Sequence, residues 1–438
     1  MQRVLTISYQ IFHNIGGSSK SVTKQLCFST LLWIGVVCLL CGFLVGRSAI
    51  KMSTKTQAQN ISDELAGNGL QATEHLQQMA LIELTKTSFD YVTNWQMPYS
   101  KEKKRYINEV FSNLSFIHEV ENDTSFIRAT VHGLQEPDIY VILSVNGDGI
   151  AVALELAQVL DRIYSTHNWR PRRTLIFCIS LTSTDVCSRI FPLFLLEKVM
   201  AYIAVHGRFT QANNRVTLTG SDVIRSIAVE AIKTIPNRNW TYLENELFGP
   251  RLSLNVPHVI FSFDNNSANN QIHHNENLQS RRLTLAQMVS KTIWRLSESI
   301  VIHWEPNYFN YTVNKVFELF NSKYRKTIEI LKKNVNNLLA AVKDFNAKFD
   351  TMNNTNKLIL PVRVWNDLFL DLDKALLCFS KIGELSVTDL TNLCEKLNYQ
   401  PRLYKFNEVI FHLEKIGDCY LNAIKMLNEE EILEEKKR

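Results

Sequence analysis

The chain has 438 residues, 45% of them hydrophobic, and a formal net charge of +5 at pH 7. Its basic residues are dispersed and do not form the patch with interleaved aromatic residues that is typical of nucleic-acid binding. The sequence contains no glycine-rich phosphate loop and no internal repeat. These features exclude nucleic acid as the expected partner and argue against nucleotide binding through a phosphate loop.

The first 25 residues precede a long apolar segment and contain one short motif. Tyr9 and Phe12, separated by two residues, resemble a tyrosine-based internalisation motif, in which a bulky apolar residue follows the tyrosine. The motif lies about 14 residues before the apolar segment. Motifs this short also arise by chance, so both interpretations stay open.

Residues 26–45 form an uncharged apolar stretch of 20 residues. A helix of this length crosses the hydrocarbon core of a bilayer. The alternative is a cleaved signal peptide, but the apolar segment is too long and lies too far from the N-terminus for one. We therefore predict a transmembrane signal anchor.

Potential N-glycosylation sites lie only on the C-terminal side of this stretch. Asn-x-Ser/Thr sequons begin at Asn60, Asn113, Asn122, Asn239, Asn265, Asn310 and Asn353. The flanking charges do not orient the stretch, because lysine and arginine residues occur on both sides of it. The one-sided sequons predict a single-pass type II protein of the plasma membrane or an endomembrane, with an extracellular or lumenal body.

The central part of the chain alternates short apolar strands with amphipathic helices. The predicted strands are residues 138–145, 174–181, 200–205 and 257–263, and the predicted helices are residues 149–167 and 221–235. Such alternation is typical of an α/β fold with a mostly parallel sheet that is covered on both faces. The preceding residues, 63–94 and 101–114, are predicted to be helical.

From Arg282 onward the sequence is helical. Apolar residues between Val313 and Phe349 recur at steps of three and four, which predicts one apolar stripe over nearly ten helical turns. A second apolar run ends at Leu377. The pattern leaves open whether the stripe covers this chain's own core or contacts a second chain.

Eight cysteines are present, and five of them follow the apolar stretch. Cys178 lies in a predicted buried strand, where we interpret it as a free thiol that behaves as a small apolar residue. Cys187, Cys378, Cys394 and Cys419 are candidates for disulfides in an oxidising compartment, but the sequence implies no pairing.

Several segments of the central part carry a family resemblance. Residues 133–143 (GLQEPDIYVIL), 169–178 (WRPRRTLIFC) and 201–203 (AYI) occur in this order and are similar to the glutamate carboxypeptidase II and transferrin receptor family, which is M28-like. Asn255-Val256-Pro257 fits the same pattern, and the resemblance covers about residues 125–425. It implies a zinc-exopeptidase-like α/β domain followed by an all-α dimerisation domain.

In active members of this family, an aspartate bridges two zinc ions after the first strand, and a glutamate pair after the second supplies a base and a ligand. The resemblance places the bridging position at Val145 and the glutamate pair at Ser183 and Thr184. No catalytic residue is therefore expected. Asp148 and Asp185 are displaced candidate ligands, and the alternative role of Asp148 is that of a helix N-terminal residue.

Two histidines complete the list of weak metal candidates. His206 stands where the resemblance implies an aspartate ligand after the third strand, and His274 corresponds to the last ligand position. Two histidines without a bridging carboxylate hold at most one weakly bound ion. The alternative for His206 is a polar residue at a strand end. We expect no cofactor, or zinc if these ligands are used.

The pattern and the resemblance together predict a domain layout. We expect a cytoplasmic tail at residues 1–25, a signal anchor at 26–46, a membrane-proximal helical segment at 47–125, a degenerate peptidase-like domain at 126–281 and a helical dimerisation domain at 282–438. The family's apical domain has no counterpart in this layout. Trp365-Asn366-Asp367 corresponds to the Arg-Gly-Asp of transferrin receptors, which argues against transferrin binding.

These features predict a catalytically inactive, membrane-anchored glycoprotein with a peptidase-like fold that acts in binding, scaffolding or as a receptor. We expect it to form a homodimer and to bind a protein or peptide ligand whose identity the sequence does not give. The alternative is an active zinc carboxypeptidase or dipeptidase of the glutamate carboxypeptidase II type that uses the displaced ligands.

Overall fold

The computed structural model describes residues 70–86, 101–182, 186–206, 215–235, 241–242, 256–263, 275–320, 322–353, 359–376, 393–394, 397 and 406–435. All of them belong to one unit of the chain, Ile61–Arg438. The internalisation motif at Tyr9 and Phe12 and the predicted anchor lie outside the described residues. No described helix is both long and apolar enough to span a bilayer.

The centre of the fold is a sheet of eight strands. The strands are β1 (Glu119–Asn122), β2 (Phe126–Val131), β3 (Glu136–Val145), β4 (Arg173–Ser180), β5 (Val199–Val205), β6 (Arg215–Gly220), β7 (Thr241–Tyr242) and β8 (His258–Phe263). They lie in the order β1-β2-β4-β3-β5-β8-β6-β7. Strands β4, β3, β5 and β8 are parallel neighbours, whereas β1, β2 and β6 join through antiparallel pairs.

Helices precede, cover and follow this sheet. They are α1 (Leu70–Lys86), α2 (Lys101–Ser112), α3 (Gly149–His167), α4 (Cys187–Ile190), α5 (Leu193–Leu196), α6 (Asp222–Lys233), α7 (Asn275–Glu298), α8 (Asn307–Leu319), α9 (Arg325–Asn353), α10 (Ile359–Leu376) and α11 (Phe406–Glu435). The predicted combination of an α/β sheet with a helical C-terminal part is confirmed. The predicted domain boundary at residues 281–282 falls within helix α7. The division into two domains stays a prediction.

The two faces of the sheet are covered unequally. Side chains alternate along a strand, so Val141, Leu143 and Val145 enter the main core, in which helices α3, α6 and α7 also bury their apolar residues. Ile142 belongs to a second, smaller cluster on the opposite face, together with Tyr202. Among the described residues, this second face is covered mainly by the segment that contains α4 and α5.

A buried ion cluster joins the starts of β3 and β4. Both carboxylate oxygens of Glu136 accept hydrogen bonds at 2.8 Å, one from Arg172 Nε and the other from Arg173 Nε. The Arg173 side chain is completely buried and that of Glu136 is nearly so. The cost of removing such charges from water is offset only where pairing and hydrogen bonding are nearly complete, as they are here.

The same cluster binds the C-terminal end of α7. Arg173 Nη1 donates to the carbonyl of Leu296 at 2.7 Å, and Nη2 donates to that of Ile300 at 3.4 Å. Carbonyls at the end of a helix lack partners within the helix and attract cations. In return, the Glu298 carboxylate accepts the Arg172 backbone N–H at 3.1 Å, and burial raises the pKa of Glu298 to about 7.

The apolar stripe between residues 313 and 349 is not one continuous helix. The chain breaks after α8 and forms a short 3-10 turn, Ser322–Tyr324, before α9 begins. The stripe residues are largely buried within the chain itself, against α11 among other elements. The prediction of one continuous stripe was therefore wrong. Apolar residues can keep a spacing of three and four residues even where one helix ends and the next begins.

Helices α9 and α11 lie side by side and run in the same direction. Tyr324 stacks on Phe406 with ring centroids 5.4 Å apart, and ten residues further along Asn334 donates to the Gly417 carbonyl at 3.5 Å. A Cβ on Gly417 would come within 3.3 Å of the Leu331 side chain. Glycine therefore permits the close approach of the two helices at this level.

The buried cluster gives the first prediction. Arg173→Met should lower the free energy of unfolding by about 3–5 kcal/mol, because it leaves the buried Glu136 carboxylate with one partner and two helix-end carbonyls without a donor. Arg363→Met is a matched control, since Arg363 pairs with Asp138 where both side chains are about half exposed. Its loss should cost at most about 1 kcal/mol. Urea unfolding of the chain from residue 61 measures both, and equal losses would contradict the assignment.

Candidate functional site at the carboxyl ends of the central strands

The strands that precede the first three positions implied by the family resemblance end at one edge of the sheet. Val145, the last residue of β3, pairs with Ile179 of β4 on one side and with Val205 of β5 on the other. The carboxyl ends of these three parallel strands are therefore neighbours. Such an edge is where α/β sheets usually place ligands.

The loop between β3 and α3 is short and lies against the end of β5. The Asn146 N–H donates to the Val205 carbonyl at 3.4 Å, and Gly147 has a φ of 53°. A Cβ on Gly149 would lie 2.8 Å from the Val205 carbonyl oxygen. Glycine is required at 149 by this close approach. Val145, to which the resemblance assigns the bridging aspartate, is fully buried in the main core.

Asp148 is engaged by cations of the protein. Its carboxylate lies 3.8 Å from the guanidinium of Arg282, whose side chain is almost completely buried. Burial lowers the pKa of Arg282 and of Lys103, and the charge of Asp148 opposes that shift at both residues. These partners could not be predicted from the sequence, because Arg282 and Lys103 belong to helices that are distant from the loop in sequence.

A disulfide closes the loop that follows β4. Cys178, in β4, is bonded to Cys187, the first residue of α4. The interpretation of Cys178 as a free thiol was wrong, because the start of α4 lies beside β4, with the Cα atoms of the two cysteines 6.0 Å apart. Ser183, Thr184 and Asp185 belong to this loop but lie outside the described residues.

The remaining cysteines divide into two kinds. Cys419, in α11, is also disulfide-bonded. Cys394 is a buried thiol whose pKa burial raises to about 11. The prediction that Cys187 and Cys419 form disulfides is confirmed, the same prediction for Cys394 was wrong, and Cys378 lies outside the described residues.

His206 directly follows β5. Its backbone N–H donates to the Phe261 carbonyl at 3.1 Å, which extends the pairing of β5 with β8 by one residue. The side chain is half-buried. His274, the other histidine candidate, lies outside the described residues, so only His206 and Asp148 of the four weak metal candidates are described.

The described part of this edge does not fit a two-zinc centre. The bridging position carries an apolar side chain, and the nearest carboxylate, that of Asp148, is paired with a guanidinium. Across the described ranges, no group of three or more histidine, cysteine, aspartate or glutamate residues could hold a metal ion. Ser183, Thr184, Asp185 and His274, the other positions that the resemblance assigns to this centre, lie outside the described residues.

A second polar cluster, missed in the sequence, includes a serine, a histidine and an aspartate. Ser221 Oγ donates to Asp373 Oδ2 at 2.5 Å, and the Val223 N–H donates to Asp373 Oδ1 at 3.1 Å. The His258 N–H donates to Ser221 Oγ at 2.9 Å, while the His258 ring nitrogen Nδ1 lies 2.9 Å from the Val256 carbonyl. Because the histidine contacts the serine through its backbone, this is not a nucleophile–base arrangement.

Asp373 instead caps helix α6 from the C-terminal helices. It belongs to α10 and satisfies free N–H groups at the first turn of α6, where a carboxylate is also favoured by the helix dipole. Burial raises the pKa of Asp373 to about 6, against the hydrogen bonds from Ser221 and from the first turn of α6, which lower it. This contact ties the helical part of the chain to the sheet.

The position that corresponds to Arg-Gly-Asp in transferrin receptors is largely internal. Trp365 and Asn366 are buried, and the Trp365 ring lies 3.9 Å from that of Phe345, centroid to centroid. The Asn366 amide accepts the Ile302 N–H at 3.1 Å and donates to the Ile300 carbonyl at 2.8 Å. These two side chains serve packing within the chain.

The sequons occupy different environments. Asn113 and Asn122 are exposed, Asn310 is half-buried within α8, and Asn353 is the last residue of α9. The other three sequons, at Asn60, Asn239 and Asn265, lie outside the described residues.

No family model matches the chain. Among curated proteins, the aminopeptidase NAALADL1 of Mus musculus is 30% identical over 130 residues, a match that covers 26% of this chain and 17% of the relative. The resemblance to a peptidase family that the sequence segments implied is confirmed by this match. The chain thus corresponds to less than a fifth of the relative's length.

Several solved structures are similar over part of the chain. LapA of Legionella has a TM-score of 0.38 at 10% identity, covering 51% of this chain and 77% of its own. LapB of Legionella pneumophila has 0.34 at 13%, covering 50% and 72%. A zinc aminopeptidase of Bacillus subtilis has 0.30 at 12%, covering 40% of this chain and 52% of its own. Likenesses of this extent carry no argument about activity.

The Asp373 cluster gives a pH prediction. A carboxyl with a raised pKa stabilises the fold fully below its unfolded pKa of 3.8, and this contribution is lost as pH rises through about 6. The free energy of unfolding of the wild-type chain from residue 61 should therefore rise by about 1 kcal/mol from pH 7 to pH 5, compared with that of Asp373→Asn over the same range.

Urea unfolding at the two pH values measures this difference. Asp371→Asn, at an exposed residue of the same helix, controls for the loss of a carboxylate. A difference between wild type and Asp373→Asn that stays constant with pH would show that Asp373 is not the titrating group.

Proposed function

We propose that this chain is a catalytically inactive, membrane-anchored glycoprotein with a peptidase-like fold that acts by binding or scaffolding, as a receptor does. The observation that carries the proposal is the ion pair between Asp148 and the buried Arg282 at the edge where active relatives would hold zinc. The nearest described carboxylate is committed to the protein's own cation.

Electrostatics explains why this pair opposes metal binding. Two unit charges 4 Å apart interact by roughly 4 kcal/mol at the effective dielectric constant near a protein surface. A zinc ion on Asp148 would carry twice that charge and lie beside Arg282, with Lys103 also within electrostatic reach of Asp148. Because Arg282 is buried, it has little freedom to withdraw.

The disulfide supports both the inactivity and the predicted topology. Active relatives need two carboxylates after the second strand, whereas here the loop after β4 is closed by Cys178–Cys187. Disulfides of this kind persist in oxidising compartments such as the secretory lumen and the cell exterior. This agrees with sequons that all follow residues 26–45 and with the proposed type II orientation.

We further propose that residues 126–281 form a degenerate peptidase-like domain and residues 282–438 a helical domain that pairs two chains. The stripe between residues 313 and 349 is buried within the chain, so the pairing surface has to lie elsewhere on these helices. Ile330 of α9 and Phe411 and Leu421 of α11 are exposed apolar residues that suit such a surface.

Metal content and turnover test the central proposal. The chain from residue 61, dialysed after incubation with excess zinc, should retain substoichiometric zinc and should not release glutamate from N-acylated acidic dipeptides, because ligand and base are absent. A supporting variant is Arg282→Met, which should raise zinc retention if the guanidinium opposes the ion. Turnover that is abolished by a chelator and by His206→Ala would instead establish the alternative, a working zinc peptidase.

Light scattering tests the homodimer. Obligate two-fold interfaces commonly bury on the order of 2,000 Å² or more. For the chain from residue 61 at micromolar concentration, the measured mass should therefore be twice the mass of one chain. Ile330→Glu combined with Phe411→Glu should give a monomer, whereas Leu134→Glu, at an exposed residue before β3, should leave the dimer intact. A folded, soluble monomer of wild-type sequence would require the dimer proposal to be withdrawn.

A further inference from the structure

Strand β1 is an outermost strand of the described sheet, with β2 on its one paired side. The Asp123 N–H, next after the strand, donates to the Phe126 carbonyl at 3.0 Å, so Asp123 faces β2. Alternation along an antiparallel strand then directs the backbone groups of Asn122 and Val120 away from β2. Outward N–H and C=O groups at a sheet edge are a template for pairing with another chain.

Two of the usual protections of an edge strand, proline and a bulge, are absent within β1, which is itself short and polar. The strand contains no proline, and its register with β2 is continuous from Glu119 to Asn122. Glu121 pairs with Arg128 of β2, and Glu119 lies 3.5 Å from His132, which directly follows β2. A carboxylate paired with an arginine of the same hairpin repels an approaching strand less than a free carboxylate would.

A sequon stands at this open edge. Asn122 is the last residue of β1, its side chain is exposed, and Thr124 completes the sequon in the turn that follows. We propose that Asn122 carries an N-linked glycan that closes the open edge of the sheet and prevents β1 from pairing with β1 of a second copy. The proposal rests on the lumenal orientation given under the proposed function.

The other described sequons do not stand in a strand. Asn113 is exposed but follows helix α2, six residues before β1 begins. Asn310 lies within α8, and the Thr312 of its sequon is buried and donates to the Tyr308 carbonyl. A glycan at Asn122 is bulky and hydrophilic, and it would occupy the space that an added strand needs. A glycan at Asn113 would extend from a different element.

The experiment uses the full chain expressed in eukaryotic cells and extracted from membranes. Site-resolved mass spectrometry should find a glycan on Asn122. Asn122→Gln and Thr124→Ala remove the same glycan, because each destroys the sequon at a different residue. In both variants the fraction of protein that sediments faster than the wild-type assembly should rise severalfold. Asn113→Gln, the matched control, should sediment as wild type does.

A second substitution distinguishes edge pairing from misfolding. Val120→Pro removes an outward N–H without removing a hydrogen bond to β2, and proline is tolerated at such positions of edge strands. Added to Asn122→Gln, it should restore the wild-type sedimentation profile. Fast-sedimenting material that persists in this double variant would show that the edge is not the surface responsible.

The outcomes separate this proposal from the proposed function. Glycans at other sites with none on Asn122 would overturn the proposal and leave the lumenal orientation standing. An absence of glycans at every sequon would overturn the orientation itself. If Asn122 carries a glycan but its removal leaves the sedimentation profile unchanged, only the shielding role would be overturned.

Discussion

The buried contact of Glu136 with Arg173 sets the position of α7, and much of the structure depends on that position. At the amino ends of β3 and β4, Arg173 holds the last carbonyls of α7, so this end of the helix is fixed over the sheet. The helix runs back along the strands, and its other end places Arg282 beside Asp148 at their carboxyl ends. Helix α7 therefore connects the ion cluster at the amino ends of the strands with the Arg282–Asp148 pair at their carboxyl ends.

The second constraint is the cap that Asp373 provides for α6. Helix α6 packs on the same face as α3 and α7, while Asp373 comes from α10 in the helical part of the chain. The carboxylate accepts hydrogen bonds from Ser221 and from the first turn of α6. Because these donors are buried, only a buried acceptor can satisfy them. The sheet and the C-terminal helices therefore share polar contacts as well as apolar ones, which accounts for their forming one unit.

The sequence predicted the parts of the fold whose signals are local. Strands β3, β4, β5 and β8 are continuous apolar runs, and α3 has a broad apolar face, so each was found within a few residues of its bounds. Strands β1, β2, β6 and β7 were missed, and β1, for example, is short and polar and owes its pairing to β2. The family resemblance supplied the positions of the candidate site. It could not supply the Arg282 contact or the Cys178–Cys187 bond, which depend on how distant elements pack.

The carboxyl edge of the sheet is held together by contacts of the protein itself. In a two-zinc site the ions hold neighbouring loops together through shared ligands. Here the β3 loop is tied to β5 by the Asn146 hydrogen bond, and the β4 loop is closed by a disulfide. Val145 is fully buried among apolar side chains, so an aspartate in its place would be an unpaired buried charge, costing several kcal/mol or remaining protonated. An aspartate at position 145 would therefore disturb the core around β3, which is built for an apolar residue.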